Sequence, residues 1–314
     1  MTAAANNSAT ARRGSIGRMT RFPRLDGESY QQFATRSRCS ISCQQMTWEH
    51  MRAELAREEG ARRAELEVYD QSGLRSVSVD PALDIPAYAR HEVHLQPGGY
   101  VGDELAGYLF HFGTNNFYHG MNDQDEFHIG VAERVEPPAG RLERIVDLGC
   151  GVGQLTVALK ERFPQAEVLG LDVGAPMVRY AHRRAVDRDV DVHFHQALAH
   201  DTGFEDGCVD LVTAYILFYE VPTEIGREIV AEAFRILRSG GVFEVYDFAT
   251  PFAATAPYQR YTFWVDHRFS NEPWSAEFTT TDFTETLREA GFDSELAGHQ
   301  RWGVHRYRAL KPAL

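Results

Sequence analysis

At 314 residues with 43% hydrophobic content, the chain is long enough to bury a substantial core. A formal net charge of −13 argues against a surface built to grip nucleic-acid phosphates, so a small molecule is the expected partner. No apolar run approaches the ~20 residues that cross a bilayer, and the four scattered cysteines give no disulfide framework, so a soluble, cytoplasmic protein without a membrane partner is expected.

Residues 1–45 are rich in Ser, Thr, Ala and Arg, lack apolar periodicity and read as a disordered tail. Before Asp26 they hold basic residues and no acidic ones, a faint likeness to an organelle transit segment; a flexible tail is the preferred reading. Cys39 and Cys43 could be half of a metal site, but no second Cys/His pair follows at zinc-like spacing, so no metal is expected. Met46 to Asp70 has helix-forming composition and opens a helical cap and substrate-binding region expected over residues 46–140. Residues 71–140, crowded with Gly, aromatics and His, read as short helices and loops of a cap that ends at Pro137-Pro138.

From Arg144 the pattern becomes regular, with strand-length apolar runs alternating with helical periods as far as Phe248. Pro164 is placed at the end of the first helix and Gly240-Gly241 at the end of the last. This alternation predicts an α/β fold with a doubly wound, mostly parallel sheet over residues 141–314. Residues 249–280 are aromatic and irregular and read as an insertion over the ligand edge. A helix follows, with Asp282 and Glu285 spaced as a capping box, and then two strands, near 294–299 and 304–310.

The turn after the first regular strand reads "VDLGCGVGQ", with Gly149, Gly151 and Gly153 on alternate positions. A phosphate loop would need Gly-Lys-Ser/Thr, and Gln154-Leu155-Thr156 stands there instead. A dinucleotide loop would read G-x-G-x-x-G. Asp147 would repel a pyrophosphate but suits a ligand carrying an ammonium group. Asp172, about twenty residues on, suits a ribose. An adenosine ligand without phosphates, S-adenosylmethionine, explains both carboxylates.

"VDLGCGVGQ", "VLGLDVGAPMVRYA", "DTGFEDGCVDLVTAYILFYEVP" and "AFRILRSGGVFEVYDF", in that order, resemble the class I, seven-stranded, S-adenosylmethionine-dependent methyltransferases. The resemblance implies a seven-stranded sheet with an N-terminal helical cap. It brings the backbone at Gly149, Cys150, Gly151 and Gly153 against the methionine part. Asp147 would position that loop or meet the ammonium, and Asp172 would hold the ribose. Val173, Met177, Gln196 and Ala197 would lie near the adenine, with Tyr215 also beside the cofactor. Where many relatives carry Asp before Ala, this chain has Gln196-Ala197.

The acceptor class is narrowed by what the motifs lack. "AYILFYEVP" departs from the Asn/Asp-Pro-Pro-Tyr/Phe of amino-methyltransferases, no Pro-Cys pair offers a cytosine nucleophile, and Glu220 stands without a second glutamate on its loop. A small metabolite remains, with O-methylation of a hydroxyl or carboxylate in secondary metabolism preferred over S-, N- or C-methylation. The competing readings are a cofactor-binding protein without turnover and a nicotinamide-dependent oxidoreductase. His119, Glu220 and His267 are the candidate bases. Phe117, Tyr118, Met121, Tyr219, Trp264 and Arg268 are candidate substrate contacts, and Arg260 with Arg268 would suit an anionic acceptor. A homodimer is the default expectation.

Overall fold

The computed structural model describes residues 27–72, 77–118, 120–248, 261, 264–265, 267–299 and 303–313. The chain forms two compact units, residues 1–42 and 43–314. Helix α1 spans Gly27–Tyr69 and therefore begins inside the stretch expected to be disordered. Among the described residues no helix is long and apolar enough to cross a membrane.

Residues 77–248 carry β1 (Val77–Ser78), α2 (Ala106–Phe117), α3 (Glu126–Arg134), β2 (Arg144–Leu148), α4 (Gln154–Arg162), β3 (Glu167–Asp172), α5 (Ala175–Asp187), β4 (His193–Gln196), β5 (Val209–Tyr215), α6 (Thr223–Ile236) and β6 (Leu237–Phe248). A short helix, Phe283–Glu289, and strands β7 (Asp293–His299) and β8 (Val304–Leu310) follow. Asp282 caps that helix by accepting from the Glu285 N–H at 3.2 Å, as its spacing predicts. Helix α6 ends at Ile236, and Gly240 lies inside β6 at φ +75° rather than at a helix end.

The strands form one sheet in the order β1-β4-β3-β2-β5-β6-β8-β7. Pairs from β1 to β6 are parallel, and β8 runs antiparallel between β6 and β7. The sheet thus has eight strands rather than seven. The extra one is β1, which the sequence hides because its two residues offer no period to read. Alternation along each strand sends neighbours to opposite faces. Val146 and Leu148 pack with Ile229, Val230, Ala233 and Ile236 of α6, whereas Ile145 packs with Leu155 and Leu159 of α4 and Ala181 of α5. Burial on both faces explains the near-continuous apolar runs.

Chain order reverses direction across the sheet between β2 and β5. In such sheets the ligand crevice opens at the carboxyl ends of the strands at that point. The glycine turn, Asp172 and Tyr215 all stand there.

Candidate active site

Gly149, Gly151 and Gly153 adopt φ of +65°, +52° and +76°, a region that side chains with a Cβ avoid. Their surroundings differ. A Cβ at Gly153 would meet Phe194 Cζ at 2.7 Å and Ala181 at 2.9 Å, and one at Gly149 would meet Leu217 at 2.8 Å. At Gly151 the nearest atoms, from Phe110 and Met177, are 3.9 and 4.0 Å away. Two glycines therefore serve packing, while a Cβ at the middle one would find room at ordinary van der Waals distance.

Asp147 is 1% exposed, and both of its oxygens are taken: Thr156 Oγ1 and Thr213 Oγ1 each donate at 2.7 Å. It staples α4 and β5 to β2, which leaves it the loop-positioning role of the two expected for it. Burial pushes its carboxyl up to about 6. Asp172 accepts from Gly151 N–H at 2.9 Å and Gly174 N–H at 2.8 Å, and burial pushes it to about 6 as well. Two N–H donors leave this carboxylate acceptor capacity for ribose hydroxyls. Gln196 Nε2 donates to the Val173 carbonyl at 3.0 Å, while its Oε1 accepts from Asp80 N–H. Ala197 N–H donates to the Asp172 carbonyl. Met177 is buried with Tyr100 and Phe110 beside the loop, and Cys150 is buried under it, its thiol raised well above the usual range by burial.

Tyr118 and Tyr215 meet with hydroxyls 3.4 Å apart, and His128 lies 5.0 Å from the Tyr215 ring. Burial raises both phenols. Tyr219 is buried and packs against Phe248 in the core. Met121 and Arg268 are exposed; Arg268 lies over Phe269. Trp264 is half-buried among Tyr261 and Phe269. The ring of His267 engages the Glu272 backbone carbonyl at 3.1 Å. His119, Arg260 and the side chain of Phe117 lie outside the described residues.

A further constellation went unseen in the sequence. His94 is held between two carboxylates, with Nδ1 2.7 Å from Glu272 Oε1 and Nε2 3.4 Å from Glu220 Oε1. His94 and Leu95 both have positive φ, 53° and 61°, a strain of order 1–3 kcal/mol per residue that surrounding contacts must hold. Those contacts are visible. Glu272 Oε1 accepts the His94 N–H at 2.9 Å, and Gln44 Nε2 and Trp48 Nε1 donate to its carbonyl. Glu220 is set by Asp247, whose carboxylate caps the preceding turn through the Phe218 N–H at 2.8 Å.

Burial disfavours a charged imidazole, but Glu272 and Glu220 outweigh it and raise His94 well above its ordinary value. Burial pushes Glu272 up against the pull of His94. Tyr100 joins this cluster to the glycine-loop side. Its hydroxyl is raised by burial and by Glu220, Glu272 and Asp172, and its carbonyl lies 2.7 Å from where a Gly174 Cβ would stand. The sequence signals were faint: His94 precedes the tight "QPGG" turn, and Glu272 sits in "SNEPW" within the aromatic insertion.

A glycine loop, a capped acidic strand end and this strand order are the features of a class I, S-adenosylmethionine-dependent methyltransferase domain. Residues 145–241 match the family described as "Methyltransferase domain". The chain is 38% identical over 109 residues to demethylmenaquinone methyltransferase of Thermus thermophilus, covering 35% of this chain and 49% of that one. It is 35% identical over 102 residues to trans-aconitate 2-methyltransferase of Deinococcus radiodurans, covering 32% and 36%. Among solved structures it is similar to phosphoethanolamine N-methyltransferase 2 of Haemonchus contortus, with a TM-score of 0.46, 17% identity and coverage of 66% and 56%. The matches span half or less of these curated relatives' length.

Proposed function

We propose that this protein methylates a small-molecule hydroxyl, using S-adenosylmethionine as donor. When bound, that donor supplies an electrophilic methyl carbon, which leaves sulfur as the acceptor oxygen attacks in line. The backbone of the 149–153 turn, Asp172 and Gln196 would hold it. The named substrates of the curated relatives, a demethylmenaquinone and trans-aconitate, support a small acceptor.

The buried cluster of His94, Glu220 and Glu272, joined to the Asp172 side through Tyr100, carries the choice of a hydroxyl. A hydroxyl must lose a proton during transfer, and the cluster's carboxylates, each with one oxygen free of hydrogen bonds and held in place by His94, offer acceptors for it. A carboxylate acceptor fits less well. It would face Glu220 and Glu272, while Arg268, the described arginine expected to pair with it, is exposed.

The test is methyl-labelled S-adenosylmethionine incubated with the protein and fractionated metabolites. Label in one low-mass product that resists mild base is the expected result. A base-labile product would overturn the hydroxyl reading. Binding of S-adenosylhomocysteine without any transfer would overturn the enzymatic one.

A further inference from the structure

We propose that His94, Glu220 and Glu272 form a binding site for one divalent metal cation, of the kind that takes mixed imidazole and carboxylate ligands, such as Mn²⁺ or Zn²⁺. The three residues offer ligand atoms that all lie within 4.8 Å of one another. They come from three separate segments: the 93–95 turn, the turn after β5, and the stretch before the short helix Ser275–Phe278.

Three observations point to a cation rather than a closed ion pair. First, Glu220 Oε2 and Glu272 Oε2 are both buried without a hydrogen-bond partner, and Glu272 is 1% exposed. A buried carboxylate oxygen left unpaired is costly unless something positive meets it. Second, His94 is the cation partner of both carboxylates, and among the described residues neither carboxylate pairs with Lys or Arg, so there one imidazole faces two carboxylates. Glu220 also raises the carboxyls of Asp172 and Asp247, so the local surplus is negative.

Third, the geometry is unequal. Glu272 Oε1 grips Nδ1 at 2.7 Å, the pattern that fixes a metal-ligating histidine and aims its other nitrogen, so that ligation by Glu272 itself falls to the unpartnered Oε2. The opposite contact, Nε2 to Glu220, is 3.4 Å. That is long for a charge-assisted hydrogen bond. It matches two neighbouring ligands each about 2.1 Å from one ion.

The inference deepens the proposed hydroxyl methylation, because it rests on the same cluster facing the acceptor. A cation there would act as a Lewis acid on the acceptor oxygen.

The test is Mn²⁺ titrated into the metal-stripped full-length chain, followed by loss of the free-ion electron paramagnetic resonance signal and by calorimetry. One ion per chain is expected, with affinity falling by about tenfold or more in both Glu220→Gln and Glu272→Gln. Thermal melts of these near-isosteric variants, together with their S-adenosylhomocysteine affinity, show whether the fold is intact. Two results would overturn the site: no Mn²⁺ uptake by a wild-type chain that still binds S-adenosylhomocysteine, or uptake that both folded variants retain. Mn²⁺ binding by a chain that transfers no methyl group would keep the site and sink the enzymatic reading instead.

Discussion

His94 Nδ1 lies 2.7 Å from Glu272 Oε1 although 178 residues separate them, and the same oxygen accepts the backbone N–H of His94. One carboxylate therefore fixes both the ring and the strained backbone that presents it. Glu272→Gln keeps the shape but removes the charge. Turnover is expected to fall by about 10²–10³, the usual scale for disabling acid–base chemistry. Affinity for S-adenosylhomocysteine should stay within twofold or so. Steady-state kinetics with calorimetry separates the two, and a variant with wild-type turnover would remove the cluster from the mechanism.

The glycine turn supports a paired prediction. Gly153→Ala should lower stability by several kcal/mol, on the order of 3, because Phe194 and Ala181 already occupy the Cβ position. Gly151→Ala meets no such obstacle and should lose only about 1 kcal/mol to its left-handed backbone. Its added methyl group fits against Phe110 and Met177 without a clash, on the face of the turn expected to meet the ligand, so it should weaken S-adenosylhomocysteine binding more than it lowers the melting temperature. Equal effects of the two variants on stability would contradict this division of roles.

Asp172→Asn tests the acidic strand end. Both carboxylate oxygens accept backbone N–H groups, from Gly151 and Gly174, and an amide can accept at one position only. The other N–H would face an NH₂. A loss of about tenfold or more in S-adenosylhomocysteine affinity is expected, roughly 1.4 kcal/mol. Undiminished affinity would take Asp172 out of the cofactor site.

Asp125 anchors the junction of α3, α4 and α5. It accepts from Gln154 Nε2 at 2.6 Å and Arg188 Nη1 at 2.9 Å, and pairs with the buried Arg184. Asp125→Asn leaves a buried guanidinium without its counter-charge, so a loss of about 3–5 kcal/mol in denaturant unfolding is expected. A loss below about 1 kcal/mol would show that water or a neighbour takes the carboxylate's place.

His128 gives stability a pH dependence of known sign. Burial pushes its ring down to about 4, with Asp125 acting in the opposite sense. Below its ordinary pKa of about 6.5 the unfolded chain takes up a proton that the folded chain refuses, so stability falls as pH drops from there toward 4, by about 3 kcal/mol in all. His128→Asn should melt with a shallower pH slope in that window. His111, also pushed down to about 4 by burial, keeps the slope from vanishing. Parallel melting curves for variant and wild type would refute the assignment.

The parts of this site that could be read in the sequence are those built from neighbours in the chain. Gly149 to Gly153 and Asp172 fall at fixed offsets from apolar runs, so strand period and turn chemistry locate them. Glu220 was legible for the same reason, being just past a recognisable strand. His94 and Glu272 belong to irregular segments with no period, and only tertiary folding brings them together. Tyr219 and Arg268 show the converse. An aromatic or a cation near a site in sequence can turn into the core or out to solvent, and nothing local to the residue decides which.

Strand β1 has a consequence for how the chain can be cut. Val77 and Ser78 pair in parallel with Phe194 and His195 of β4, and just beyond them the Asp80 N–H reaches the Gln196 side chain. Severing the chain at Pro137-Pro138, where its composition invites a cut, would strip β4 of its neighbour. An open row of backbone donors and acceptors beside buried Phe194 is a template for association with another sheet edge. A fragment starting at Gly140 should therefore tend to aggregate, even though it keeps the whole cofactor loop.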